Sequence, residues 1–170
     1  MMYGSLTDLL DAGGIAHMTK LSPQDDALLF KTADEVFSNV YRDAPISHLS
    51  AARQVFIRVY VGQGIIDNGS LPYFFGSDFP DVADYSVFSD AYRAIGANDV
   101  ADHLDAAVAM FPFPLPHLDL EARKRYLQEH CVDYADEMSK LGDLIIGQSD
   151  RVFTLLADYI RKHPEDFPPG

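Results

Sequence analysis

The chain has 170 residues, 48% of them apolar and 12% aromatic, enough to bury a core of its own, and its simplest division is one domain over 1–170. Its 26 acidic and 13 basic residues give a formal net charge of −13, which argues against direct contact with nucleic-acid phosphates or with an anionic membrane. A single cysteine, Cys131, excludes an internal disulfide and a thiolate-rich metal site, and without a leader or an apolar span in view the expected location is a reducing cytoplasm.

Helical periodicity runs through nearly the whole chain. A short helix over 5–12 is expected before Gly13-Gly14. Ser22-Pro23 has the form of an N-cap followed by proline at the first helical position, and Asp25 and Asp26 suit the positive end of the helix that follows. Leu29, Ala33, Val36, Phe37 and Val40 then recur at helical spacing. A second helix begins at Ser47 or Ser50, with Leu49, Ala52, Phe56, Val59 and Tyr60 on its inner face, and weakens at Gly62 and Gly64. Residues 55–61 have strand propensity as well, but no second strand candidate exists to pair with them.

Asp67-Asn68-Gly69 reads as an Asx-type turn with Gly69 at positive φ. Beyond an aromatic elbow at Tyr73-Phe74-Phe75, either Asp78 or Asp81 caps a helix bearing Val82, Tyr85, Phe88, Ala91, Tyr92 and Ile95, with Gly96 as its C-terminal glycine. Asn98 caps the next helix, whose inner residues are Val100, Leu104, Ala107, Val108 and Phe111. Pro112, Pro114 and Pro116 interrupt the chain with an extended connector. Helices over about 119–131 (Leu120, Leu127 and Cys131 inward) and 150–162 complete an all-α fold of about six to eight helices.

The charge is uneven. Residues 67–105 hold eight acids and one base, Arg93, a net of −7. Twenty-one of the 26 acids are aspartate, although glutamate is the better helix former. Asp99, Asp102 and Asp105 follow at steps of three, which places them at about 0°, −60° and −120° around a helix whose apolar residues centre near 130°. The row therefore faces away from the core, its Cβ atoms about 5–6 Å apart, a spacing similar in scale to that of successive phosphates. Arg123-Lys124-Arg125 is explained by helical ion pairs, Glu121 and Glu129 standing four residues to either side of Arg125.

The motifs of catalysis are sparse. Six histidines are scattered without zinc spacing, no phosphate-binding glycine loop occurs, and Gly62-Gln63-Gly64 is too short to form one. His130 and Cys131 diverge as neighbours on a helix, so Cys131 reads as structural. Asp67-Asn68-Gly69 begins like a calcium loop, but the remaining ligands do not follow. Asp78, Asp81 and Asp84 could share a cation. No cofactor and no resident metal are expected.

Three pieces of the sequence together resemble a family of bacterial domains of unknown function whose best-known member is a DNA-mimic protein. Its elbow pattern, Asn-Gly-Gly-Phe followed by aromatics and a serine turn, is met by Asn68-Gly69, Tyr73, Phe74, Phe75 and Ser77, with Ser70 in place of the second glycine and Leu71 in place of the phenylalanine. Residues 91–112, with Gly96, and the closing "LADYIRKHPEDF" are similar to two further segments. The likeness covers most of 50–167, and 1–45 carry no diagnostic motif.

The resemblance implies an acidic helical domain, not an enzyme, that presents carboxylates as phosphate stand-ins to a DNA-binding protein. The expected surface is Asp78, Asp81, Asp84, Asp99, Asp102 and Asp105, and the expected partner is a basic regulator; a homodimer is compatible with this. The same acids also suit an immunity-type protein that neutralises a basic toxin. A carboxylate- or metal-dependent enzyme acting on a small molecule is the third reading.

Overall fold

A computed structural model of the chain describes residues 20–40, 45–79, 84–131 and 136–168. Seven α-helices, and no strand, occur among them. They are α1 (Pro23–Glu35), α2 (Ala51–Gly76), α3 (Ser86–Ala94), α4 (Asn98–Val108), α5 (Leu120–His130), α6 (Glu137–Ile146) and α7 (Ser149–Lys162). The expected helix over 5–12 lies outside the described residues. A π-helical turn, Val36–Val40, continues α1, and short 3-10 turns occupy Ile46–His48 and Pro116–Leu118.

The starts of α1 and α2 follow from their capping residues. Ser22 accepts the Asp25 amide with Pro23 leading the helix, and Ser50, not Ser47, accepts the Arg53 amide of α2. Asp25, whose carboxyl the guanidinium of Arg161 holds below its usual range, ties α1 to α7.

Helix α2 is the axis of the molecule, packing against α3, α5, α6 and α7. It does not weaken at Gly62 or Gly64. Both are buried within it, and a Cβ at Gly62 would lie 3.3 Å from the Phe88 ring, so that glycine admits α3. Inside the helix Gln63 anchors a polar chain. Tyr92 donates to Gln63 Oε1 (3.1 Å), Gln63 Nε2 donates to Asp67 Oδ1 (2.8 Å) and to Ser149 Oγ (3.0 Å), and Ser149 Oγ donates to Asp67. These bonds join α2, α3 and α7 through the core, where an unmade hydrogen bond is expensive.

The true break comes later. Gly69 is extended (φ −162°), and it is Ser70 that takes the positive φ, at 62° with ψ −172°. That region is essentially reserved for glycine, which corrects the expected turn geometry. Asn68 makes no Asx turn either, since its Nδ2 donates back to Gly64 O (2.8 Å). Ser70 Oγ is buried without a hydrogen-bond partner among the described residues, against Gly142 of α6.

The aromatic elbow packs as expected. Phe74 and Phe75 are fully buried, with Phe79, Tyr85 and Phe88 around Phe74, and Tyr85 and Phe111 edge-on to Phe75. Tyr85, Phe88, Ala91, Tyr92 and Ile95 are buried, and Gly96 adopts φ 89° where α3 ends. Two expected caps are corrected. The Ser86 amide at the start of α3 is held by Asp84 Oδ1 (2.9 Å), not by Asp78, and Asn98 is already the first residue of α4 and makes no side-chain cap.

Two features go beyond the expectation. Helix α6, capped by Asp136, was not anticipated. And Arg123 is not a member of a surface charge cluster. It is 2% exposed, donating to Phe75 O (2.9 Å), Pro116 O (2.6 Å) and Ser77 O (3.2 Å), with its guanidinium over the Tyr85 ring. Lys124 pairs with Glu121 (3.7 Å), the part of the cluster that does behave as a helical ion pair.

These contacts set three stability effects, measurable by denaturant unfolding. Ser70→Gly relieves the backbone and removes an unpaired hydroxyl, raising stability by about 1 kcal/mol after glycine's entropic cost. Gly142→Ala drives a methyl into Ser70 Oγ and destabilises by about 2 kcal/mol, most of which returns in the Ser70→Gly background. Arg123→Met strands three carbonyls and costs about 3 kcal/mol.

Candidate functional site

The elbow and the Arg123 clamp fix where α3 begins, and the tight turn at Gly96 folds α4 back against α3. Val100, Ala101, Leu104 and Ala107 of α4 are buried, which leaves Asp99, Asp102 and Asp105 on its outward side, their side chains 43%, 71% and 46% exposed. The 3.6-residue period thus places this row as the sequence indicated.

The row is not bare. Arg93, at the end of α3, directs one guanidinium nitrogen at both Asp102 Oδ1 (2.9 Å) and Asp105 Oδ2 (2.7 Å), and its other nitrogen lies 3.9 Å from Asp90. Asp105 also accepts from the Ser89 hydroxyl. Asp99 is held by Arg151 Nη1 of α7 (2.8 Å) and by Nε2 of Gln148, the residue that precedes α7 (2.6 Å). These bonds stabilise the Asp99 carboxylate and hold its pKa down at about 2, Arg151 contributing most.

The other expected carboxylates are placed separately. Asp78 is exposed just beyond α2 and makes no ion pair among the described residues, and Asp81 lies outside those residues. Asp84 is exposed, its pKa lowered first by the Ser86 amide, with His117 Nδ1 3.6 Å away. The structure therefore gathers Asp99, Asp102 and Asp105 into one row and adds Asp90 beside Arg93.

From sequence Arg93 stands out only as the single base of 67–105, and Arg151, Gln148 and Ser89 do not stand out at all. Asp90-x-x-Arg93 carried a local signal at i, i+3, but Arg151 meets Asp99 across 52 positions, a contact set by the packing of α7.

Chemically this face offers carboxylates held by hydrogen bonds to exchangeable guanidiniums. Surface pairs of this kind are worth about 0–1 kcal/mol, so an incoming cation can replace an internal one at low cost. Elsewhere, His163, Glu165 and Asp166 form the triple of potential metal ligands found among the described residues, with ligand atoms within 4.8 Å of one another. Asp78 and Asp84 do not belong to it. Cys131 is half-buried with Sγ 3.9 Å from Met138 Sδ, and burial pushes its pKa up to about 11, which keeps it a protonated thiol at neutral pH. No described helix is long and apolar enough to cross a membrane.

Asp99 supplies a test by acid titration. A carboxyl whose pKa falls on folding adds stability above its unfolded pKa of about 4, and that stability is lost as pH drops toward 2. Asp99→Asn should therefore flatten the acid limb of the stability–pH curve over that window. At neutral pH the variant should lose no more than about 1 kcal/mol, since the pair is exposed and screened.

A family model described as DMP19-like protein matches residues 47–163. Searches of the curated proteins and of the solved structures find no match. The matched region begins at the turn before α2 and runs to the end of α7, so it contains the elbow, the acidic row and the helices that hold them. The chain belongs to the DMP19-like protein family.

Proposed function

We propose that this chain is a protein-binding domain whose carboxylates engage a basic protein, in its most specific form by occupying the nucleic-acid site of a DNA-binding regulator. Membership of the DMP19-like family supports the reading, as does the concentration of net charge in 67–105. The observation that carries it is the outward row Asp99, Asp102 and Asp105 on α4, continued by Asp90 on α3. These four carboxylates share two guanidiniums, Arg93 and Arg151, and the surplus of two negative charges is available to a cationic partner, with Asp78 and Asp84 as further exposed acids outside the row.

A regulator's arginines and lysines would meet the row as they meet phosphates, by charge-assisted hydrogen bonds and release of counterions. Arg93 and Arg151 compete with them. They lower the affinity of the free face for cations, and they reject partners whose positive groups are too few or too diffuse to replace them.

The test is competition. A basic helix-turn-helix regulator copurified with this chain is loaded with labelled operator duplex, and the chain is titrated in. Displacement is expected, weakened at least tenfold by Asp99→Asn with Asp102→Asn and Asp105→Asn, and strengthened severalfold by Arg93→Gln, which frees two carboxylates. A regulator that keeps its duplex while bound to the chain contradicts mimicry. Indifference to all four substitutions contradicts the chosen face.

A further inference from the structure

A second group of ligating side chains lies at the C-terminal end of α7, outside the acidic face. The helix closes at His163, its C-cap, and Pro164 turns the chain at once through residues 164–166. The turn brings an imidazole and two carboxylates together. His163 Nδ1 stands 3.5 Å from Glu165 Oε1, and with Asp166 they form a triple whose ligand atoms all lie within 4.8 Å of one another.

That 3.5 Å separation is longer than a good hydrogen bond, about 2.7–3.2 Å. It is close to the edge of a tetrahedron of ligands placed about 2.1 Å from one ion, which is about 3.4 Å. The nitrogen and the oxygen thus have the spacing of two ligands on a shared cation. Glu165, whose side chain is 67% exposed, has room for the small adjustment that brings the third ligand into the same shell.

The turn that carries these donors is fixed by the rest of the fold. The amides of Asp166 and Phe167 both donate to His163 O (3.0 and 3.1 Å), and Asp166 O accepts Arg53 Nε from α2 (2.8 Å). Phe167 is buried against Phe56, and the His163 ring lies on Tyr159 (centroids 4.3 Å). Donors held in place lose little freedom on binding, and the electronegative end of a helix favours a cation. Among the described residues neither Glu165 nor Asp166 has its carboxylate paired with a lysine or arginine. The nearby guanidiniums of Arg53 and Arg161 are engaged elsewhere, by Glu35 and by Asp25 and Asp158.

We propose that His163, Glu165 and Asp166 form a binding site for a divalent cation of the zinc class. One imidazole and two carboxylates suit such an ion over Mg²⁺ and Ca²⁺, which prefer shells made of oxygen alone. Three protein ligands leave a fourth position to water or to a side chain of a partner. The site is distinct from the acidic row, since α7 rises about 18 Å between Arg151 and His163. It stands whether or not that row binds a basic protein.

Calorimetric titration of the untagged full chain with ZnCl₂ tests it, with backbone amide shifts to locate the ion. One Zn²⁺ per chain is expected at micromolar affinity, with shifts centred on 159–167 and no binding of Mg²⁺ or Ca²⁺ at the same concentrations. His163→Gln, Asp166→Asn and Glu165→Gln should each weaken binding at least tenfold. Glu165 is exposed, so its variant keeps the test valid should the other two disturb the turn. Asp99→Asn with Asp102→Asn and Asp105→Asn should leave Zn²⁺ affinity unchanged.

Absence of heat and of shifts below millimolar ZnCl₂ overturns the site. So does binding that survives His163→Gln and Glu165→Gln, that is lost with the α4 row instead, or that Mg²⁺ reproduces.

Discussion

The guanidinium of Arg123 lies inside the molecule and meets backbone carbonyls, not carboxylates, at Phe75, Ser77 and Pro116. Burying a cation is costly, and here three charge-assisted hydrogen bonds, two of them at the electronegative C-terminal end of α2, offset that cost. One side chain of α5 thereby fixes the end of α2, the path of the elbow and the start of the 3-10 turn after the connector. Tyr85, packed under the guanidinium, then leads directly into α3. The position of the α3–α4 pair, and with it the acidic face, follows from this clamp.

On that face geometry and charge act in opposite senses. The helical period turns the aspartates outward, which concentrates negative potential, while Arg93 and Arg151 draw part of it back into internal pairs. A bare row would attract any polycation. A partly neutralised row favours a partner that brings several well-placed guanidiniums at once, because only such a partner replaces the internal bonds without leaving a charge unpaired. On the proposed reading the arginines would trade affinity for selectivity.

Most helices were legible in the sequence because amphipathic spacing and the serine caps at Ser22 and Ser50 are local signals. Glycine was the misleading residue. Gly62 read as a weak point of its helix but marks the close approach of Phe88, and Gly69, expected at positive φ, is extended; α6 was missed despite the apolar spacing of Met138, Leu141 and Ile145. The actual break falls on Ser70, where the resembling family has glycine, so the strain appears only once the backbone is seen. Arg123 was misread for a related reason. Its sequence neighbours supply plausible ion pairs, whereas its true partners are carbonyls 7, 46 and 48 positions away. The outward direction of the Asp99 row needed only the helical period; its neutralisation by Arg151 needed the tertiary packing of α7.

The central claim is that the α3–α4 carboxylates act toward a basic protein as phosphates do. It is tested most directly by the slope of log affinity against log salt concentration, measured by calorimetry for the complex of the full chain with its purified basic partner. The account predicts a steep linear fall between about 50 and 200 mM salt, with a shallower slope once Asp99, Asp102 and Asp105 are changed to asparagine. A slope that is flat, or that those three substitutions leave unchanged, would contradict it.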